Sequence, residues 1–425
     1  MLNYKTMEQK FPVPSLLKEI SGYFHEAGFS AYLVGGAVRD FFLKKKASDW
    51  DIATDAPPQE VTRLFRRTIP TGIEHGTVTI IYKNKHIECT TFRTEADYTD
   101  GRHPAAVSYT TFRSEHGYSD GRRPDEVSYE TSIEQDLSRR DFTMNAIAVS
   151  LPDGVIVDPF NGRADIRAGL IQTVGNPLDR FLEDGLRPVR AVRFAAQLGF
   201  TVDMRTLQAI PQTLHITKKI SIERFREEFT KMLSCQTPLI GLRLMESTGL
   251  LNLFIPELME CRGVEQGSYH HFDVLDHSFL VCNACPAGME HIHIRLAGLF
   301  HDIGKPATRK EAADGSCTFY RHEAVSEKMT RSIMRRLKYS NAEIDKTAHL
   351  VAEHMFHYDY SWTDAAVRRF IVRVGKENID DLFALRKADV FGLTGTYTEP
   401  YFLVEFTARI NKILKEEGVY SLKDL

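Results

Sequence analysis

The stretch LVGGAVRDFFLKKKASDWDIAT, Leu33 to Thr54, decides how the rest of the chain is read. The apolar run Ala31 to Val34 predicts a short strand, with Gly35 and Gly36 directly after it. Arg39 and Asp40 fall at the start of a predicted helix, and Asp49 and Asp51 on a second predicted strand. Side chains two apart on a strand share a face, so the two aspartates are expected side by side. Neighbouring carboxylates repel unless a cation lies between them, and an all-oxygen ligand set favours Mg²⁺ that also holds substrate phosphates. The glycine pair lets the backbone approach a triphosphate, and Arg39 can neutralise it. The outline is a phosphoryl-transfer site. A DxD alone is a weak signal, because many surface strands and turns carry one; joined to GGxxRD upstream it becomes specific.

Around this segment both periodicities occur. An amphipathic helix is predicted over Leu16 to Ala27, and strands over Thr77 to Tyr82 and His86 to Phe92. From Phe181 onward the pattern is helical, with stretches such as Ile222 to Leu233, Ser326 to Leu337 and Asp364 to Val374. The predicted fold class is α+β: a mixed-sheet head over residues 1–150, a helical neck over 151–233, and a helical body and tail over 234–425.

Of the 425 residues, 43% are hydrophobic and 26% charged, and the net charge is −3, so no global positive field points to nucleic acid. Any such contact must come from a local basic surface. There is no apolar leader at the N-terminus and no run near 18 apolar residues, which gives the expectation of a cytoplasmic protein without a membrane segment. The six cysteines are scattered, which argues for reduced thiols. Cys282 and Cys285 form a lone CxxC whose flanks, SFLVCNACPAG, read as an apolar helix ending near Pro286 and Gly288.

Sliding the chain by 20 residues exposes a tandem duplication. TTFRTEADYTDGRHPAAVSY, from Thr90, is followed by TTFRSEHGYSDGRRPDEVSY, from Thr110, with 13 of 20 positions identical. Two copies rich in Asp, Gly, Arg and Pro are a duplicated loop and not a solenoid.

The combination of GGxxRD and DxD resembles the nucleotidyltransferase superfamily that includes DNA polymerase beta. More narrowly, it resembles the bacterial-type, CCA-adding tRNA nucleotidyltransferases and the related poly(A) polymerases. The resemblance runs through about residue 233 and implies an Mg²⁺-dependent enzyme that extends the tRNA 3′ end from CTP and ATP. It implies Asp49, Asp51 and Glu88, in HIECTTFR, as the catalytic carboxylates, with magnesium on the aspartates. SRRDFTMNAIAV and FLEDGLRPVRAVRFAAQLGF match further family motifs. They imply nucleotide binding by Arg140, Arg190 and Arg193, with Gly36 and Arg39 in the head, and base reading by Asp184 and Arg187.

The chemistry of that reading follows from donors and acceptors. Cytosine and adenine both present an exocyclic amine beside a bare ring nitrogen, so an aspartate accepting from the amine and an arginine donating to the nitrogen select them. Asp184, Arg187, Arg190 and Arg193 recur every three residues on a predicted helix, drifting by roughly 60° per step. This chain carries Gly185 and Pro188, and proline is tolerated only in a first turn, so that helix must start close to Gly185 or kink. The ERFREEFTKML stretch resembles the end of the neck and is given no catalytic role.

In the family the DGRRP-type segment forms a flexible loop linked to the switch from C to A addition. Its presence in two copies argues against a CC-only enzyme, and one copy is expected to be dispensable. PTGIEHGTVTI, from Pro70, resembles the CCA-adding type and not the poly(A) polymerases. An A-adding enzyme working with a separate CC-adding partner remains the alternative.

Further on, HHFDVLDHSF, LAGLFHDIGKPA, YRHEA, AEHMF and KADVFG supply His277, His301, Asp302, His322, His354 and Asp389. This order resembles the HD phosphohydrolases. It implies a divalent metal (Mn²⁺, Ni²⁺ or Mg²⁺) that activates water toward a phosphoester, as a second or even the main activity. The sequence leaves homo-oligomerisation open.

Overall fold

The computed structural model describes residues 10–45, 49–72, 76–98, 104–109, 132–267, 271–311, 317–398 and 400–417. The chain divides into two compact units, Met1–Arg187 with Phe200–Lys219, and Pro188–Gly199 with Ile220–Leu425.

The first unit opens with α1 (Ser15–Glu26), whose buried Leu17, Ile20, Ser21 and Phe24 follow the helical period. There follow β1 (Ala31–Val34), α2 (Gly36–Phe42), β2 (Asp51–Thr54), α3 (Pro58–Leu64), β3 (Thr68–Gly72), β4 (Thr77–Tyr82) and β5 (Lys85–Thr91). Next are β6 (Arg93–Tyr98), β7 (Pro104–Tyr109), α4 (Ile133–Ser138), β8 (Ala148–Leu151), β9 (Ile156–Val157), α5 (Gly162–Ala168), β10 (Leu170–Ile171) and α6 (Pro177–Glu183). The main sheet has the order β3-β4-β5-β2-β1-β8-β9. Within it β2 and β5 are parallel, while β1 is antiparallel to both of its neighbours. Val34, Ala53, Phe92, Leu137 and Ala148 share one apolar core. The first copy of the duplication enters the antiparallel hairpin β6–β7, with Arg93 opposite Tyr109, where a loop was expected. The second copy lies outside the described residues.

The helix carrying the arginine series is α7 (Arg187–Leu198); β11 (Thr201–Val202), α8 (Met204–Gln212) and α9 (Leu214–Thr217) follow. Pro188 falls in the first turn of α7, so the proline neither breaks nor kinks it. Asp184 is not on this helix, contrary to the three-residue series: it stands extended beyond α6, at φ −140° and ψ 110°.

The second unit continues with α10 (Ile222–Leu233), α11 (Pro238–Thr248), α12 (Leu250–Phe254), α13 (Pro256–Met259), α14 (Val274–Ala284), α15 (Ile292–Phe300) and α16 (Lys305–Thr308). A two-stranded ribbon, β12 (Lys310–Glu311) with β13 (Cys317–Thr318), precedes α17 (His322–Arg336), α18 (Asn341–Glu353), α19 (Asp364–Val374), α20 (Ile379–Thr394) and α21 (Tyr401–Glu417). Its core is aromatic toward the C-terminal helices, where Tyr358 stacks on Phe406 at 4.2 Å between ring centroids. Cys282 and Cys285 are buried at the end of α14, and burial pushes the Cys282 thiol up to about 12, so the CxxC is packing and not redox chemistry. All six cysteines are free. Among the described residues no helix is long and apolar enough to cross a membrane.

Candidate functional sites in the head and in the helical unit

In the head, Asp51 opens β2 directly opposite Glu88 of β5 in the parallel register. Asp49 lies ahead of the strand and is exposed, so strand alternation is not what brings it near Asp51. The charges nonetheless interact. Burial, the Glu88 carboxylate and Asp49 together push the Asp51 carboxyl up to about 6, against the pull of Arg140. Such a crowd of carboxylates beside a backbone opening is a donor set that a hard divalent cation fits. The oxygens of the three are not all within 4.8 Å of one another, unlike the clusters of the second unit.

Gly35 shows why this turn needs glycine. Its φ is +74°, and a Cβ there would meet Asp51 Oδ2 at 3.3 Å and an Arg140 guanidinium nitrogen at 3.5 Å. Gly36 starts α2 behind it. Arg39 and Asp40 sit midway along that helix and not at its start. The Arg39 guanidinium is buried, donating to Asp40 Oδ1 at 2.8 and 2.9 Å and to Asn145 Oδ1 at 3.0 Å. Asn145 in turn donates to Asp141 Oδ1 at 3.0 Å. Arg39 thus links the glycine turn to the RRD segment.

That segment is held by Asp136, which the sequence reading missed. Its buried carboxylate accepts from Arg139 and, at 3.1 Å, from Arg140. Burial alone would raise the Asp136 carboxyl, but the two guanidiniums hold it below the usual carboxylate range. Its position three and four residues ahead of the arginines, on a short helix, was the available signal.

Arg187 donates to the carbonyls of Arg180 at 2.9 Å and Arg139 at 3.0 Å, and to Glu183 at 2.5 Å, joining the RRD segment to the α6–α7 junction. Asp184 accepts from the Leu186 amide at 3.0 Å. Arg190 and Arg193 belong to the second unit, where both pair with the buried Glu228 of α10. Glu228 was also missed; it sits within the stretch given no catalytic role.

The second unit gathers all six HD-type residues. His277 comes from α14, His301 and Asp302 from the turn ending α15, His322 from the start of α17, His354 from the end of α18, and Asp389 from α20. His301 and Asp302 follow Phe300, the last residue of α15, in the turn that ends it. The site contains two triads sharing Asp302: His277, His301 and Asp302, and Asp302, His322 and His354. Asp302 Oδ2 lies 3.2 Å from His301 Nε2 and 3.5 Å from His277 Nε2, while Oδ1 lies 3.1 Å from His322 Nε2 and 3.7 Å from His354 Nε2. Asp389 Oδ1 joins the first group, 3.2 Å from His277.

Gly392 makes room for this cluster, since a Cβ there would come within 2.9 Å of His277 Nδ1. Asp302 and Asp389 are both held well below the carboxylate range despite burial. Burial would lower His301, but Asp302 and Asp389 override it and push the imidazole up to about 10. Two buried anions demanding a cation, among four imidazoles, are the chemistry of a divalent transition-metal site. Lys305 Nζ, 2.6 Å from Asp302 and 2.5 Å from Gln266, adds a positive charge that sequence reading missed. The HDIGK spacing, one helical turn past Asp302, could have shown it. The cluster floors an open pocket of about 770 Å³, with Phe319, Tyr320 and Met355 in its walls.

Comparison with known proteins matches three family models to successive stretches of the chain. Residues 31–110 and 106–172 match the poly A polymerase head domain in two overlapping pieces that meet inside the tandem duplication. Residues 199–261 match the probable RNA and SrmB-binding site of polymerase A, and residues 270–391 the HD domain. A CCA-adding enzyme of Bacillus velezensis is 43% identical over 260 residues, 61% of this chain and 59% of that protein. One from Bacillus subtilis is 46% identical over 208 residues, 49% of this chain and 47% of that protein. The chain thus spans about half the length of the curated relatives it matches. The crystal structure of the Bacillus stearothermophilus CCA-adding enzyme in complex with CTP superposes with a TM-score of 0.67 at 28% identity, covering 96% of this chain and 85% of that one. The nucleotidyltransferase and HD families are metal-dependent, which agrees with the two triads of the second unit. The matched models follow one another in order from residue 31 to residue 391, each over less than half of the chain, so the chain is similar in turn to a poly A polymerase head domain, a polymerase RNA-binding segment and an HD domain.

Proposed function

We propose that the chain adds C, C and A to the 3′ end of tRNA from CTP and ATP, releasing pyrophosphate, in the cytoplasm. The observation that carries this is the pairing of Asp51 with Glu88 beside the Gly35 turn. The CCA-adding names of the matched relatives favour tRNA as acceptor. Asp49, Asp51 and Glu88 are the residues that would hold magnesium, which when bound acidifies the attacking 3′-hydroxyl and neutralises the leaving pyrophosphate. The Gly35–Gly36 backbone admits the triphosphate, and Arg140, anchored to Asp136, offers its charge beside it. Arg39 orients this turn through Asn145. Asp184 and Arg187 read the amine and ring nitrogen of C or A, and Arg190 and Arg193 are further candidates for nucleotide binding. We assign residues 1–150 to the catalytic head, 151–233 to the base-selecting neck and 234–425 to the body and tail.

The test is incorporation of labelled CTP and ATP into tRNAs ending before CCA, after C and after CC, with Asp49→Ala plus Asp51→Ala as control. Addition completing CCA on all three supports the reading. A addition to the CC-ended tRNA alone makes this the A-adding member of a pair.

A second activity has its own observation, the two triads sharing Asp302 at the floor of the pocket. We propose metal-dependent hydrolysis of 2′,3′-cyclic or terminal phosphates that would block a tRNA 3′ end. Phosphate ester hydrolysis of 2′,3′-cAMP with Ni²⁺ or Mn²⁺, abolished in His301→Ala and Asp302→Ala, is expected. Turnover by wild type that persists in both variants would exclude it.

A further inference from the structure

With a net charge of −3, the protein can hold a polyanion only through a local cationic surface. One end of the head sheet supplies it. Arg66 and Arg67 lead into β3, Lys83 sits in the turn between β4 and β5, and Lys85 opens β5; all four side chains are exposed. Arg66, Arg67 and Lys85 form no ion pair with any described residue. Lys83 pairs with Glu19 at 2.6 Å, the carboxylate that faces this cluster, and Arg63 on α3 is paired with Glu60.

These cations border an open pocket of about 490 Å³ lined by Tyr23, Phe65, Arg66, Arg67, Tyr82 and Lys83. Tyr23 is 42% exposed, and its ring lies 6.1 Å from that of Tyr82 at an interplanar angle of 70°. The Tyr82 hydroxyl donates to Glu19 at 3.0 Å, which fixes that ring, and Lys83 Nζ stands 5.7 Å from its centroid. Aromatic faces interleaved with solvated cations suit unpaired nucleic acid, whose bases stack while its phosphates follow the charges.

The pocket lies at the end of the sheet from which β2 begins, with Lys85, three residues before Glu88, on the opposite face of β5 from that carboxylate. Because Asp51 stands opposite Glu88, the turn before Lys85 extends past the carboxylates by ~10 Å of strand, on the side from which β2 begins. Arg67 is at the same end, its carbonyl accepting from the Ile81 amide at 3.0 Å. An RNA whose terminal hydroxyl lies at Asp51 and Glu88 reaches the pocket with its preceding nucleotides by passing round this end of the sheet.

We propose that this pocket docks the unpaired 3′-terminal nucleotides of the RNA substrate, phosphates on Arg66, Arg67 and Lys85 and a base against Tyr23 or Tyr82. The proposal rests on the tRNA reading above. It is tested by fluorescence-anisotropy titration of the full chain with tRNA ending before CCA, across a salt series, for wild type, Arg66→Ala plus Arg67→Ala, and Lys85→Ala. The double variant should bind roughly tenfold more weakly at low salt, with a slope of log affinity against log salt shallower by about two. In turnover the loss should fall on the KM for tRNA and not on that for CTP. Wild-type affinity and slope in both variants overturn the proposal, as does an equal loss on a blunt RNA duplex without unpaired 3′ nucleotides. If wild type incorporates CTP while the variants bind normally, only the pocket is misassigned; if wild type neither binds tRNA nor incorporates CTP, the functional reading has failed and the proposal with it.

Discussion

Asp51 and Glu88 face each other across the parallel pairing of β2 with β5, and the Asp51 carboxyl is pushed up to about 6 by burial and by its acidic neighbours. In the metal-free protein this is a cost. A carboxyl whose folded pKa is raised binds more protons folded than unfolded between about pH 4 and 6, so stability falls as pH rises through that window and stays low above it. Asp51→Asn should therefore raise stability at pH 8 by roughly 1–3 kcal/mol and leave it nearly unchanged at pH 4. Urea denaturation at the two pH values measures this. The same variant should lose CTP and ATP incorporation, so a stabilised but inactive protein is the expected signature.

Asp302 is the residue common to both triads of the second unit, with one carboxylate oxygen toward His277 and His301 and the other toward His322 and His354. Removing it should empty the whole site, whereas His354→Ala leaves the His277, His301 and Asp302 triad standing. Metal analysis after equilibration with Mn²⁺ or Ni²⁺ and gel filtration should show loss of all bound metal in Asp302→Ala and partial retention in His354→Ala. Equal retention in the two variants would contradict the shared role. CTP incorporation, which we assign to the head, is the control for intact folding.

Much of this was legible in the sequence where one local period dominated. α10 and α19 fall on the residues that periodicity predicts because each buries one stripe, and β1 and β4 because each is a short apolar run bounded by turn residues. The six HD-type residues were found because they fall in five short motifs, His301 and Asp302 sharing one. What periodicity could not supply was the partner of each charge. Asp136 and Glu228 look like ordinary helical surface acids, yet they are buried beneath arginines that had been assigned to nucleotide. Arg295 lies in an apolar helix and is 1% exposed; it donates to the carbonyls of Leu233, Cys235 and Pro286 at 2.6 to 2.8 Å. Such a role is set by tertiary contacts, to which no local spacing responds. Asp49 and Asp184 were misplaced by extending a regular element one step too far.

Asp136 gives a contrasting pH prediction. Its carboxyl is held below the usual range, so the stability it contributes is present above about pH 4 and disappears as pH falls through its folded pKa. Asp136→Asn should cost about 3 kcal/mol at pH 7, because it strands two partly buried guanidiniums. Part of wild type's acid sensitivity below pH 4 should vanish in the variant. Guanidinium denaturation from pH 7 down to pH 2 checks both limbs. Nucleotide incorporation should fall as well, since Arg140 loses the anchor that sets it beside Gly35.

Deletion of Thr110 to Tyr129 tests the duplication. The first copy runs from β5 into the β6–β7 hairpin, and the second leads into the RRD segment, so removing the second copy leaves equivalent residues on both flanks. Halving the length of chain between two anchored ends changes its closure cost by only ~0.6 kcal/mol. The shortened protein should therefore fold with nearly unchanged stability and still add the terminal A to tRNA ending in CC. Deleting both copies should abolish A addition, the step in which the family resemblance implicates this segment. If the single deletion keeps CC addition but loses A addition, the two copies are not equivalent, and the second is the one that serves the switch.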